Sequence, residues 1–281
     1  QRLGIDHQSL KKVNPKIITC SISGFGDTEL NRPAYDNLIQ GYAGAMSITG
    51  TDKENPVKSG IPIADLGAGL YAVIGILSAI QSREKNDSGE HVDISMLDTQ
   101  VSLLTYMATM HFLSGENPEP IGNQHMNHVP FNSYRTLDGF IQIGVVAEDF
   151  WPSLIEALDL RQLDTEENKV RIGRLKNREN IDEALQEVFI TNTTEHWLKI
   201  LQEHRVPCGP INTLSETFED ADLLKRNMIV EVLQDSGTSV KMPGNPVKIS
   251  NHDEEFRRSP KLGEHTAEIF KNWLNKDISV D

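Results

Sequence analysis

Apolar residues recur along the chain in two rhythms, near period two in short β-branched runs and near 3.6 in longer segments. Residues 16–23 form a β-branched run that follows Asn14-Pro15 and stops at Gly24-Phe25-Gly26, as a buried strand bounded by turn residues would. Leu38, Ile39, Tyr42, Ala43 and Met46 recur at helical spacing over 34–46, and the polar residues 50–56 close that element. Leu66, Leu70, Val73, Ile74, Leu77 and Ile80 share one face of a longer helix. Asp65 stands at its N-cap position, Arg83, Glu84 and Lys85 in its last turn, and Gly89 beyond it. Residues 91–95 read as a strand and 96–113 as a second long helix carrying Leu97, Val101, Leu104, Met107 and Met110. The order strand, helix, strand, helix predicts an α/β layer with parallel pairing.

The pattern changes at the proline-bearing polar stretch 115–120, which marks a domain boundary. Residues 133–136 and 140–146 flank Leu137-Asp138-Gly139, a hairpin signal with Asp-Gly at its turn. Helical patterns follow at 150–158, 181–189, 197–201 and, more weakly, 218–224, while the charged stretch 161–180 reads as a solvated helix and loop. A second hairpin is predicted from 229–233 and 239–242 around Asp235-Ser236-Gly237, and a helix over 264–274 closes the chain. No internal repeat occurs. These elements predict an α/β protein, with a parallel-sheet domain over 1–115 and a mixed α+β domain after it.

Composition narrows the function. The 281 residues are 38% apolar and 24% charged, a globular chain longer than one typical domain. A formal charge of −14 from 27 basic and 41 acidic residues repels phosphate backbones and anionic membrane surfaces, so neither is an expected partner. The longest apolar run, 69–80, contains two Gly and a Ser and falls short of the roughly 20 residues a membrane helix needs. Cys20 and Cys208 have neither disulfide nor zinc-site spacing, which predicts a reducing cytoplasm and no metal. The opening Gln1-Arg2-Leu3-Gly4 lacks the basic and apolar regions of a signal peptide.

Few residues carry recognisable chemistry. Gly67-Ala-Gly-Leu-Tyr-Ala72 matches the G-x-G-x-x-A dinucleotide fingerprint, but Pro62 and Asp65 interrupt the strand that should run into it, and Asp65 would repel a pyrophosphate. Close helix packing is the plainer account of these glycines. Asp65 itself, at a helix N-terminus, meets free N–H groups and the positive end of the helix dipole. Beside Gly67 and Gly69 it is placed to attack an activated carbonyl, although an Asp there is usually a structural cap. His125 and His128 share a loop suited to substrate contact or to none, and Cys208 lies between two prolines in a rigid loop. No G-x-S-x-G elbow is present.

Several segments in order resemble the family III CoA-transferases, which include formyl-CoA transferase, carnitine CoA-transferase and the α-methylacyl-CoA racemases. They are Ser21-Ile-Ser-Gly-Phe-Gly26, Ala34-Tyr-Asp-Asn-Leu-Ile-Gln40, Ser47-Ile-Thr-Gly50, Ile63-Ala-Asp-Leu-Gly-Ala-Gly69, and Arg83-Glu with Gly89. Val92-Asp-Ile-Ser-Met-Leu-Asp98, Thr136-Leu-Asp-Gly139, Val206-Pro-Cys-Gly-Pro-Ile-Asn212 and Leu262-Gly-Glu-His-Thr266 complete the set. The resemblance implies that Asp65 attacks an acyl-CoA thioester, with CoA as a substrate and no separate cofactor. It implies the family fold, a parallel-sheet larger domain over 1–115 with an inserted smaller α+β domain over 116–230 and a return to the larger domain over 231–281. It also implies that Pro33, Ala34, Tyr35 and Asp36 line the thioester arm, that Met96 contacts CoA, and that the protein forms an interlocked homodimer. His125 joins these as a substrate-contact candidate from its loop. Racemases place a histidine where this chain has Tyr35, and a phenol is a poor base at neutral pH, which favours transfer over racemisation. Family members open with a strand-helix-strand section that forms much of the nucleotide pocket and precedes the residues corresponding to Gln1, so a fragment lacking that section, and inactive by itself, is an alternative. A dinucleotide-binding oxidoreductase is another.

Overall fold

The computed structural model describes residues 3–28 and 32–276, which group into two compact units, Gln1–Gly209 and Pro210–Asp281. In the first, α1 (His7–Val13) starts at Asp6, whose carboxylate accepts from the Ser9 N–H at 3.1 Å. Strand β1 (Thr19–Ser23) pairs in parallel with β2 (His91–Ser95), Ser21 opposite Asp93, as the strand-helix order predicts. Between them lie α2 (Asp36–Tyr42), a 3₁₀ turn (Ala45–Ile48) and α3 (Ile63–Asn86), and after β2 come α4 (Met96–Leu103) and α5 (Tyr106–Ser114). The helix expected over 34–46 is cut because Gly44 takes φ +81°, and the one over 96–113 breaks where Thr105 takes φ +48°. Helix α3 stops short of Gly89, as expected, and its C-cap is Asp87, whose left-handed φ of 54° closes the last turn through its N–H to the Arg83 carbonyl.

Helix α3 is buried through the face opposite to the one its large residues mark. Ala64, Gly67, Ala68, Ala72 and Ala79 are buried, whereas Leu66, Leu70, Val73, Ile74 and Leu77 are each more than half exposed. Small side chains let the helix axis come close to β2 and α4. A Cβ added at Gly75 would stand 2.6 Å from Val92 Cγ1, and one at Gly67 2.9 Å from Thr99 Cγ2. The apolar stripe thus has no partner among the described residues, and α3 is long and apolar enough by length and composition to cross a membrane. Glycine and serine interrupt its apolar run without lowering its mean hydropathy far.

The rest of the first unit is built on β3 (Phe131–Arg135) and β4 (Phe140–Gly144), the predicted antiparallel hairpin, with β5 (Cys208–Pro210) beside β4. Over it pack α6 (Phe150–Leu158), α7 (Arg171–Lys176), α8 (Arg178–Phe189) and α9 (Thr194–Glu203). Trp151, Leu154, Ile181, Leu185, Phe189 and Leu201 form a core with Ile141 and Ile143. The stretch 161–180 is not merely solvated, since Asn168 and Arg174 are each 1% exposed. Arg174 donates to the carbonyls of Val129 (2.8 Å) and Asn168 (3.0 Å), pairs with Glu148 (2.7 Å) and lies over the Trp151 ring. Its charge is tolerated inside because nearly every guanidinium donor has a partner.

The second unit contains α10 (Leu214–Glu219), α11 (Ala221–Lys225), the predicted hairpin of β6 (Ile229–Leu233) and β7 (Ser239–Pro243), and α12 (Thr266–Leu274). The weak helical pattern over 218–224 is two helices, divided at Asp220, which caps the second by accepting from the Asp222 and Leu223 N–H groups. Arg258 is gripped by Asp235 and Glu264, and Lys261 also pairs with Asp235.

Two outcomes follow. Arg174→Met strands the Val129 and Asn168 carbonyls in the interior and should cost about 3 kcal/mol in urea unfolding, with Arg174→Lys recovering less than half because an ammonium cannot reproduce the fork. The Arg258 guanidinium, helped by the Lys261 N–H, pulls the Glu264 carboxyl from its ordinary value down to about 2. A depressed carboxylate stabilises the folded state above its unfolded value, and that support is lost as pH falls toward about 2. Amide protection over 258–266, corrected for intrinsic exchange, should therefore decline from pH about 4.5 to about 2, and Glu264→Gln should flatten the decline.

Candidate active site at the start of helix α3

Asp65 is the third residue of α3, inside its first turn rather than at the N-cap position expected from the sequence. The N-cap residue is Pro62, which has no side-chain acceptor to offer the free N–H groups. That function comes from another helix. Asp36, the first residue of α2, accepts from the Ala64 N–H at 2.9 Å through one carboxylate oxygen and from Gln40 Nε2 at 2.7 Å through the other. Asp36 therefore caps α3 in place of a local residue, and Asp65 is left with an exposed side chain that has no hydrogen-bond or ion-pair partner among the described residues. An uncommitted carboxylate at the positive end of a 24-residue helix is electrostatically stabilised yet open to an incoming group.

The two fingerprint glycines separate in role. Gly67 is required by the approach of Thr99 and Leu103, whereas a Cβ at Gly69 would have nothing within 4 Å. Both lie within α3, so no strand runs into a glycine turn as the dinucleotide alternative requires, and helix packing, the plainer account, holds at Gly67.

Other candidates fall around this point. Ala64 and Ala68 share a small core with Phe25, Ile39 and Met96, against which Ala34 packs. Met96 is 8% exposed and so belongs to that core, while Pro33 and Tyr35 are exposed beside it. Tyr35 is the N-cap residue of α2 and immediately precedes Asp36. The chain thus brings Pro33, Ala34, Tyr35, Asp36 and Met96 to the first turns of α2 and α3.

His125 stands on a different support. Its ring lies 4.7 Å from that of His128 and 5.3 Å from that of Phe131, and none of its partners belongs to the cluster around Asp65. Burial, with the neighbouring His128 and Arg178 charges, pushes its imidazole below the ordinary histidine value. Three arginines hold its loop. Arg178 donates to the His125 carbonyl at 2.7 Å, Arg171 to that of Asn127 at 3.2 Å and Arg174 to that of Val129 at 2.8 Å. Behind the loop, Asp182 accepts from the Tyr134 hydroxyl, whose pKa burial drives well above that of a free phenol, with the Asp182 charge adding to the effect.

Sequence reasoning missed Gln40 and the arginine row. The i, i+4 spacing of Asp36 and Gln40 on one helix was a usable signal, but the arginines could be assigned partners only once the loop was placed. Burial pushes the Cys208 thiol up, which argues against a thiolate nucleophile there. Among the described residues no group of three or more His, Cys, Asp or Glu could hold a metal ion.

The chain is 31% identical over 272 residues to the succinate–glutarate CoA-transferase of Agrobacterium fabrum, covering 95% of this chain and 68% of that protein. It is 30% identical to the human succinyl-CoA:glutarate CoA-transferase, covering 98% of this chain and 64% of the relative, so it spans about two thirds of these proteins' lengths. A crystal structure of a CaiB/BaiF family protein from Brucella suis superposes with a TM-score of 0.82 at 33% identity, covering 95% of this chain and 71% of that one. With a family model matching residues 1–266 as well, the chain belongs to CoA-transferase family III.

Proposed function

We propose that this chain provides the aspartate centre of a CoA-transferase that moves CoA from an acyl-CoA donor to a free carboxylic acid. The observation that carries the reading is the exposed, unpartnered Asp65 carboxylate in the first turn of α3, with its helix capped by a different carboxylate. In the first step an Asp65 oxygen attacks the donor thioester carbon, the C–S bond breaks, and an aspartyl mixed anhydride and CoA thiolate result. The thiolate then attacks the aspartyl carbonyl, releasing the donor acid and leaving an aspartyl-CoA thioester. The acceptor carboxylate attacks that thioester and expels the thiolate, forming a second anhydride. Attack of the thiolate on the acceptor's acyl carbon yields the new acyl-CoA and restores Asp65. The activation of the donor thioester is thereby passed on to the new thioester, and Asp65 ends as it began.

Pro33, Ala34 and Tyr35 flank this point and line the thioester arm in this reading, Met96 supports it from the core beneath, and His125 contacts substrate from its separate loop. Transfer is favoured over racemisation because no imidazole accompanies Asp65 at the start of α2, where Tyr35 stands. The relatives' names pair succinate with glutarate, which favours a dicarboxylic acid as acceptor. The reading includes a homodimer, supported by the exposed stripe of Leu66, Leu70, Val73, Ile74 and Leu77, a surface that water disfavours. It also places the protein in a reducing compartment, with Cys20 and Cys208 both free.

Incubation with succinyl-CoA followed by hydroxylamine should modify Asp65, located by peptide mass spectrometry. Asp65→Ala should lower exchange between succinyl-CoA and glutarate by about three orders of magnitude or more. Full activity in that variant would exclude the mechanism. For the dimer, sedimentation at micromolar concentration should give twice the chain mass, and Ile74→Asp should shift it to the single chain.

A further inference from the structure

We infer that Gln40 is a positioning residue for Asp65, acting through Asp36 and through the segment that leads into α3; the inference rests on the role proposed above for Asp65. Gln40 is 2% exposed, an unusual place for a polar side chain unless every polar atom is used. Both ends of its amide are occupied. Its Nε2 donates to Asp36 at 2.7 Å, and its Oε1 accepts from the Ser59 N–H at 2.9 Å. Ser59 continues the restraint, since its hydroxyl accepts from the Ile61 N–H at 3.2 Å, one residue before the N-cap Pro62.

The connections form a closed circuit. Beginning at Gln40, one arm runs through the Asp36 carboxylate to the Ala64 N–H, and the other runs through Ser59 and Ile61 to Pro62. Both arms meet at the first turn of α3, on either side of the residue that starts it. Two anchors keep the circuit rigid, because Ile39 and Ala64 are each 0% exposed within one core cluster. The amide orientation is dictated by its partners, as only the NH₂ end can face the Asp36 carboxylate and only the oxygen can face the Ser59 N–H. Without Gln40, Asp36 keeps its backbone contact to Ala64 but loses the restraint on its rotation, and the 59–62 segment loses its tie to α2. The Asp65 carboxylate then samples a wider range of directions, which costs rate in a reaction requiring a near-attack geometry.

Swapping the polarity of the pair gives the test. In Gln40→Glu two carboxylates face each other, and in the double variant Gln40→Glu with Asp36→Asn an amide donor and a carboxylate acceptor are restored with roles exchanged. Gln40→Met, of similar volume, removes both bonds. Using the full chain with succinyl-CoA and glutarate as probes, Gln40→Glu and Gln40→Met should lower kcat about 100-fold while KM changes by less than about threefold. Both should accelerate amide exchange over 59–66 without altering exchange in β3 and β4. The double variant should recover the protection over 59–66.

Unchanged exchange over 59–66 in both single variants overturns the inference whatever their rates. So does accelerated exchange with wild-type kcat, and so does a double variant that fails to regain protection. If the wild-type chain forms no adduct on Asp65, the function proposed above fails instead, and the exchange measurement still decides whether Gln40 holds the start of α3.

Discussion

The depth at which α3 lies against its neighbours governs the site. A helix faced with alanine and glycine comes within contact distance of β2 and α4 at backbone level, and Gly67 and Gly75 occupy places where one extra carbon would collide with Thr99 or Val92. Close approach fixes the helix axis to within tenths of an ångström, because packed interiors have little slack. Everything at the N-terminal end inherits that placement, including Asp65 and the four N–H groups of its first turn.

That end of the helix is then shaped by a division of labour between two carboxylates. A proline at the N-cap position cannot bond to the helix, so the requirement passes to Asp36 on α2, whose oxygens are both engaged. The helix dipole favours negative charge at this point, and the arrangement satisfies a structural need with one acid while leaving the other unpartnered. A local aspartate or serine cap would have met the same need, but without tying α2 to α3. The tertiary cap makes the geometry of Asp65 depend on the packing of a second helix, and that dependence gives the buried Gln40 its importance.

The loop carrying His125 and His128 follows the opposite strategy, being held by charge from behind. Arg171, Arg174 and Arg178 recur at about one turn apart and reach three carbonyls of the loop, at 127, 129 and 125 respectively. Guanidinium groups suit this work because several fixed donors leave one planar group, and Arg174 can be sequestered only because its donors are met. A stretch that reads as ordinary solvated charge is, in its middle, part of the interior.

Periodicity and turn residues located most of the longer helices and strands, including the parallel pair β1 and β2 and both hairpins, because the repeat of a helix or strand is a local property written in neighbouring residues; the short α1, β5 and α10 carried no such repeat. The ordered segments around Asp65 also marked the family. Element ends were less legible. Gly44 and Thr105 break helices through backbone conformations that no pattern of hydrophobicity records. The buried face of α3 is not the one its large apolar residues mark, because close packing against β2 and α4 selects small side chains. Chemistry at the site was half visible: residue type and spacing singled out Asp65, but not which carboxylate would cap the helix and which would stay free. That choice was made by tertiary structure, for the physical reason that a hydrogen bond between residues 28 positions apart exists only after the core has brought α2 and α3 together.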